Sequence, residues 1–203
     1  MRLRYLIMSA LFAALTAVAA QLRIPVPGTM LVFTLQTLVV FLAGLMLPPS
    51  YAALSQAVYI AVGLLGLPVF STGGGFSYVV APSFGFLLGF IVCAVIISLL
   101  ARKPLRALIS QQQGRVRNAV LASLAGLAGI VSMYVIGVIY MYLIKNFYMN
   151  DPRSWTDVII AGTGVFVFID IAKLAVALPL AAAIIRRMPS ALYTPAAEKP
   201  RVQ

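Results

Sequence analysis

Six long apolar runs, separated by short stretches rich in proline, glycine or charge, constrain this chain more than any other feature. The runs lie near residues 4–22, 30–47, 51–66, 82–101, 117–144 and 157–186. A helix needs about 20 apolar residues to cross the hydrocarbon core of a bilayer. Charged residues make up 9% of the chain, against about a quarter in soluble domains. We therefore expect an all-α integral membrane protein with six transmembrane helices.

The two ends of the chain need separate interpretation. The opening segment MRLRYLIMSALFAALTAVAA has the basic start and apolar centre of a secretory signal. Because it is about long enough to span and further spans follow, we interpret it as a retained first helix. Residues 1–190 are predicted to form one membrane domain, and residues 191–203 a short, polar, disordered cytoplasmic tail.

The positive charges predict the orientation. The net charge is +11, and a six-span arrangement places most of the basic residues on one side of the membrane. That set is Arg2, Arg4, Arg102, Lys103, Arg106, Arg115, Arg117, Arg186, Arg187, Lys199 and Arg201. The positive-inside rule then puts both termini and the 102–117 loop in the cytoplasm, in a multi-pass inner-membrane protein. The charge also attracts anionic membrane lipid. Without a basic groove interleaved with aromatic residues, nucleic acid is not an expected partner.

The composition includes few residues that could bind a metal or act in catalysis. Histidine is absent, and the acidic residues are Asp151, Asp157, Asp170 and Glu198. A zinc site and a Ser-His-Asp triad are therefore not expected, and general acid–base catalysis has few candidate groups. The single cysteine, Cys93, is interpreted as a small core residue. We expect a protein that is not an enzyme and holds no metal and no cofactor.

Two charged residues lie inside the last apolar run, in VFVFIDIAKLAVALPL. A charge at the bilayer centre costs about 2.5–3.5 kcal/mol on insertion scales. Asp170 and Lys173 are three residues apart and so share one helix face. The two charges could simply form an ion pair with each other that lowers the cost of their burial. Alternatively, the pair could bind a polar head group carrying both N–H and C=O, such as a ureido or amide group, or form a proton relay. We favour a functional role.

A glycine-rich turn precedes the fourth apolar run, in STGGGFSYVVAPSFGFLLGF. The turn lacks the G-x-x-x-x-G-K-[ST] pattern of a phosphate cradle. It is either a plain reverse turn or the wall of a small-ligand pocket. As a pocket wall, Gly73, Gly74 and Gly75 would let the backbone approach the ligand, with positive φ expected at Gly74. Nearby aromatic rings would cover apolar ligand surface, namely Phe70, Phe76, Tyr78, Phe84 and Phe86.

Small residues recur every four positions in the first run. Ala10 and Ala14 form one such pair, and Ala13 and Ala17 form another. This spacing lets helices approach closely in lipid. Either pair could serve an ordinary contact within the chain or a contact with a partner.

Three segments together resemble the BioY family, the biotin-specific substrate-binding subunits (S components) of energy-coupling-factor (ECF) transporters. They are VFTLQTLVVFLAG at 32–44, SQAVYIAVGLLGLPVFSTGGG at 55–75 and PSFGFLLGF at 82–90. The D-x-x-K of Asp170 and Lys173 also matches the family's last helix. The block from Ala81 to Phe86 differs from the family's usual G-P-T-G-G-Y, with bulkier or less polar residues.

The resemblance implies a fold, a ligand and partners. Family members are six-helix bundles that bind biotin near the outer side of the membrane. They work with a transmembrane coupling protein and a pair of cytoplasmic ATPases. Carried over to this chain, the ligand site would comprise Asp170, Lys173, Tyr78, Gln36 and the glycines of the turn. Contact with the coupling protein would fall on Ala10 and Ala14, or on Ala13 and Ala17.

The sequence therefore predicts a membrane-embedded biotin-binding subunit that captures the vitamin from outside and imports it with partner ATPases. The alternative is an ion- or proton-coupled carrier that uses Asp170. A membrane enzyme and an assembly factor without a ligand are the remaining classes. Transport that follows the proton gradient without any ATPase would favour the carrier.

Overall fold

A computed structural model describes residues 2–25, 32–110 and 114–188, and within these ranges the chain is mainly helical. The helices are α1 (Arg2–Gln21), α2 (Gln36–Met46), α3 (Pro49–Leu64), α4 (Phe84–Ile109), α5 (Arg115–Leu143), α6 (Trp155–Gly162) and α7 (Gly164–Arg187). Two three-residue strands, β1 (Arg23–Pro25) and β2 (Val32–Thr34), form an antiparallel hairpin between α1 and α2. A 3₁₀ helix spans Phe76–Val80, and a π-helical turn spans Ile144–Tyr148.

The expected six-helix membrane bundle is confirmed. Within the described residues, four helical segments are long and apolar enough to cross a membrane, namely Leu3–Gln21, Phe84–Ile109, Arg115–Tyr148 and Trp155–Arg187. The shorter helices α2 and α3 complete the six-helix count when α6 and α7 are taken together. Pro49 opens α3 in the first turn, where its missing N–H costs nothing. The last passage is divided between α6 and α7 at Thr163, a break that the apolar pattern does not reveal.

Close helix contacts hold the bundle together. Helices α4 and α5 run antiparallel, and glycines allow their backbones to meet. A Cβ added at Gly85 would lie 2.2 Å from the Cβ of Tyr140, and one at Gly89 would lie 2.8 Å from the carbonyl oxygen of Met133. Cys93 is fully buried in the same contact, as expected for a core residue. Without water in the bilayer, such packing supplies much of the association between helices.

Successive passages alternate in direction, so the bundle has two distinct ends. The glycine-turn end carries the β1–β2 hairpin, the 65–83 loop and the 144–154 loop. Here Tyr140 donates a hydrogen bond to the Val79 carbonyl. The arginine end carries the beginning of α5 and the ends of α4 and α7. The predicted tail, residues 191–203, lies outside the described residues, and the single-domain assignment stays a prediction.

Candidate ligand pocket

A pocket opens at the glycine-turn end and reaches inward between α2, α4, α5 and α7. Its polar lining comprises Thr34, Gln36, Thr37, Ser71, Thr72, Tyr78, Ser83, Tyr134, Asp170 and Lys173. Its apolar lining comprises Val32, Phe86, Leu87, Phe90, Met133, Gly162 and Phe166. Apolar walls with a few convergent polar groups are typical of small-molecule sites.

The innermost polar groups are the charged pair predicted from the sequence. Lys173 Nζ donates to Asp170 Oδ1 at 2.9 Å. The two side chains are only 11% and 5% exposed, so this is a buried ion pair rather than a solvated one. Lys173 Nζ also lies 4.7 Å from the centre of the Phe33 ring, where the ring face attracts a cation. One turn of α7 thus places a carboxylate and an ammonium side by side against the pocket.

Two hydroxyl groups complete the surroundings of this pair. Thr37 Oγ1 donates to Asp170 Oδ1 at 2.7 Å and accepts from Lys173 Nζ at 2.8 Å. Tyr134 donates from its hydroxyl to Asp170 Oδ2 at 2.8 Å. Buried charges need such hydrogen bonds to offset the loss of water. The sequence pattern did not predict either residue, because they lie 133 and 36 positions away from Asp170. The available signals were a second polar residue in the T-L-Q-T block and a tyrosine within an apolar run.

Gln36 forms a second polar patch on the pocket wall. Its Nε2 donates to the Tyr59 hydroxyl at 2.7 Å, and its Oε1 accepts from Thr34 Oγ1 at 3.0 Å. Tyr59 in turn donates to the Val69 carbonyl at 3.2 Å. A chain of hydrogen bonds therefore links α2 through α3 to the loop that carries the glycine turn.

Tyr78 brings together the hydroxyl groups at the rim of the pocket. Its hydroxyl lies 3.4 Å from Ser71 Oγ, 3.2 Å from Thr72 Oγ1 and 3.3 Å from Ser83 Oγ. Tyr78 and Ser83 both line the pocket. The atypical 81–86 block thus reaches the site through Ser83 and Phe86.

The three consecutive glycines stand behind this rim rather than in the lining of the pocket. Among the described residues, the lining includes Ser71, Thr72 and Tyr78 but none of the glycines. Positive φ angles occur at Gly73 (129°) and Gly75 (103°) and not at Gly74, so the expectation for Gly74 was wrong. Gly74 is constrained by a close contact instead, because a Cβ at this position would lie 2.1 Å from the Leu67 carbonyl oxygen. Direct contact of these glycines with a ligand stays a prediction.

The aromatic residues around the turn divide into three groups. Phe86 and Tyr78 line the pocket. Phe70 is 1% exposed and packs edge-on against Tyr59, and Phe84 is also buried in the core. Phe76 is 77% exposed. The expected aromatic cover thus comes partly from Phe90 and Phe166, which the local pattern did not single out.

Two basic residues at this end differ in their availability to an anion. Arg23 is exposed, and its guanidinium donates to the carbonyl of Ser71, a residue of the pocket rim. Lys145 is paired with Asp151 at 3.2 Å. Hydrogen bonds from Lys145 and Arg153 lower the pKa of Asp151 below its usual value, so the partner of Lys145 stays ionised. Arg23 is therefore the better-placed cation for a ligand carboxylate.

The two alanine pairs of α1 lie on different faces. Ala10 and Ala14 are exposed, whereas Ala13 is 6% exposed and belongs to the core, against which Ala17 packs. Neighbours on the outward face include Ile7 and Leu11. The structure therefore leaves Ala10 and Ala14 available for a partner helix and uses Ala13 and Ala17 for packing within the chain.

The sequence of this chain is similar to those of known membrane proteins. The sequence profile of the BioY family matches residues 1–190. The probable biotin transporter BioY of Lysinibacillus sphaericus is 40% identical over 157 residues, which cover 77% of this chain and 74% of that protein. The biotin transporter BioY of Thermotoga maritima is 36% identical over 176 residues, which cover 86% and 92%. These relatives are named as transporters and not as enzymes.

A solved structure shares the fold. The crystal structure of the S-component for biotin from an ECF-type ABC transporter superposes with a TM-score of 0.73 at 22% identity. The match covers 95% of this chain and 96% of that chain. The predicted S-component-like bundle is thereby confirmed.

Proposed function

This chain belongs to the BioY family, and we propose that it is the biotin-binding S component of an ECF-type uptake transporter. The observation that carries the proposal is the buried Asp170–Lys173 pair at the inner end of the pocket. Maintaining two charges in the membrane is costly, and a neutral ligand with both N–H and C=O groups would use both. The ureido ring of biotin is such a group.

The rest of the ligand matches the rest of the pocket. The apolar thiophane ring and chain would lie against Phe86, Leu87 and Phe90. The carboxylate would lie near the rim, where Arg23 is held by the Ser71 carbonyl. An arginine can donate two hydrogen bonds to one carboxylate. This orientation places the polar ends of biotin at opposite ends of the pocket.

Energy for import would come from partners. The sequence contains no G-x-x-x-x-G-K-[ST] nucleotide-binding pattern, so we assign ATP hydrolysis to a pair of cytoplasmic ATPases joined through a transmembrane coupling protein. The exposed Ala10–Ala14 face of α1 is the proposed contact with that protein.

The proposed location is the inner membrane with both termini in the cytoplasm, which places the pocket on the outer side. Reporter fusions after Arg187 and in the 102–117 segment should both report cytoplasm. An external signal from either fusion would reverse this orientation.

Biotin retention tests the proposed ligand. The protein would be purified in detergent from cells grown with biotin, denatured, and the released biotin quantified against protein. We expect release approaching one biotin per chain, because a pocket that satisfies both ends of the ligand should release it slowly. Release at the background level of an unrelated membrane protein, together with no binding of added biotin, would contradict the proposal.

The energy source for transport distinguishes an S component from the alternative, an ion- or proton-coupled carrier. Uptake of labelled biotin would be measured in cells that express this chain with and without a coupling module. An S component requires the module for ATP-driven uptake, so an ATPase-dead module should reduce transport. Uptake that is unchanged without any module and collapses with the proton gradient would favour the carrier.

A further inference from the structure

We propose that a groove at the arginine end of the bundle binds one anionic phospholipid. The groove lies between the end of α4, the beginning of α5 and the end of α7. It is separate from the ligand pocket, with which it shares no lining residue among those that the structure describes. The proposal does not depend on biotin as the ligand.

Small side chains create the groove, and its floor is apolar. Leu105 and Leu178 provide large apolar surfaces, with Leu105 buried and Leu178 half-buried. Ala119 and Ala183 are exposed and also line the groove, so larger side chains at these two positions would fill it. Ser123 adds one hydroxyl to the lining. A mainly apolar floor of this kind, open toward the lipid, suits an acyl chain better than a hydrated anion.

Two guanidinium groups stand at the rim of this apolar floor. Arg115 and Arg186 both line the groove and are exposed. Within the described ranges, neither has an ion pair or a side-chain hydrogen bond. The guanidinium group matches the geometry of a phosphate and binds it through paired hydrogen bonds.

Among the residues that the structure describes, no acidic group lies near this basic end, so an anion is needed there. Arg117 and Arg187 add positive charge at the same end. The acidic residues that the structure describes lie elsewhere, with Asp151 and Asp157 at the opposite end and Asp170 inside the ligand pocket. A phospholipid phosphate lies at the membrane surface, where basic residues flanking apolar spans also lie. Its acyl chains continue into the hydrocarbon region that the apolar floor faces, so charge and apolarity are satisfied by one molecule.

Native mass spectrometry of the full chain tests the site. The protein would be released from detergent micelles supplemented with phosphatidylglycerol or with phosphatidylcholine of the same acyl chains, and bound lipid would be counted. We expect one phosphatidylglycerol to be retained preferentially. A single basic residue near an anionic surface contributes about fivefold in affinity, so Arg115→Gln with Arg186→Gln should weaken retention about 25-fold.

Matched variants separate the groove from general charge. Arg117→Gln with Arg187→Gln removes the same charge at the same end, outside the groove lining, and should retain the lipid. Ala119→Leu with Ala183→Leu keeps both arginines but fills the groove, and should also release the lipid. Melting temperatures would confirm that each variant is folded. If the arginine variant does not fold, the groove-filling variant still tests the site.

Four results would overturn the proposal. The first is equal retention in the groove variants and the control pair. The second is equal retention of the two lipids by the parent. The third is full competition by inorganic phosphate or glycerol phosphate, which would indicate a free-anion site. The fourth is unchanged lipid retention combined with loss of transport in the groove variants, which would assign the surface to a protein partner.

Discussion

At the scale of single residues, Thr37 connects the two charges of the pocket. Its hydroxyl donates to Asp170 and accepts from Lys173, so it fixes the position of both. Neither its place in the apolar α2 nor its distance along the chain identifies it as part of the site. We interpret Thr37 as a positioning residue that keeps the carboxylate and the ammonium facing the ligand.

Replacing Thr37 by valine should separate positioning from packing, because valine keeps the shape and removes the hydroxyl. Hydrogen bonds to charged groups contribute about 1.5–3 kcal/mol, so we expect biotin affinity to fall about tenfold or more. Thr37→Ser keeps the hydroxyl and should bind within about threefold of the parent. The measurement is calorimetric titration with biotin. A lower melting temperature with unchanged affinity would show that Thr37 acts only in folding.

At the rim of the pocket, Arg23 is the residue that we propose binds the ligand carboxylate. Since its guanidinium already bonds the Ser71 carbonyl beside the pocket, Arg23→Gln should weaken biotin binding about tenfold, the lower end for a charge-assisted bond at an exposed site. Biotin methyl ester, which lacks the carboxylate, should bind the variant and the parent alike. Arg153→Gln, an exposed arginine at the same end, is the matched control. If Arg23→Gln weakened the binding of biotin and of its methyl ester equally, Arg23 would not be a contact of the ligand carboxylate.

At the scale of elements, the glycine turn supports the rim instead of forming it. Gly75 donates its backbone N–H to the Gly63 carbonyl at 2.7 Å, and Gly74 fits closely against Leu67. These contacts attach the turn to the end of α3. Tyr78 and its hydroxyl partners are then held over the pocket opening.

A methyl group at Gly74 should therefore displace the turn. We expect Gly74→Ala to lower both the melting temperature and biotin affinity, because the added Cβ cannot coexist with the Leu67 carbonyl. Gly164→Ala is the control, since a Cβ there meets nothing within 4 Å and alanine favours helix. Thermal melts with and without biotin would report both effects. Unchanged melting and affinity in Gly74→Ala would show that the turn readily relaxes.

Helix α1 tests the proposed contact with the coupling protein. Ala10→Leu with Ala14→Leu adds bulk on an exposed face, so transport with the partner module should fall while biotin binding by the isolated subunit survives. Ala13→Leu overpacks the core, which typically costs about 1–3 kcal/mol of stability, and should lower the melting temperature. Uptake and titration would be measured for each. Equal loss of binding and transport in the Ala10 and Ala14 variant would make that face internal packing.

At the scale of the whole molecule, the local sequence pattern predicted the structural features that depend on the length and composition of each segment. The six passages follow from apolar runs, and Asp170 and Lys173 stand out because charge is rare in lipid. The break at Thr163, the β1–β2 hairpin and the roles of Thr37 and Tyr134 depend on contacts between distant segments. No local pattern encodes those contacts. The assignment of Gly74 to positive φ failed for the same reason, because its constraint comes from Leu67.

The fold keeps the charges of Asp170 and Lys173 buried, paired and on the wall of the pocket. Asp170→Asn and Lys173→Gln each remove one charge and leave the other unpaired, a change that costs about 2–5 kcal/mol. That cost corresponds to roughly 30-fold to several-thousand-fold in affinity. The double variant restores neutrality, so it should recover folding but not affinity.

Calorimetric titration of biotin into the parent, both single variants and the double variant is the most direct test, with thermal melts alongside. We predict tight binding by the parent, large losses in each single variant, and a double variant that melts near the parent yet binds weakly. A double variant that binds biotin as tightly as the parent would show that the pair is structural and that the polar head of the ligand lies elsewhere.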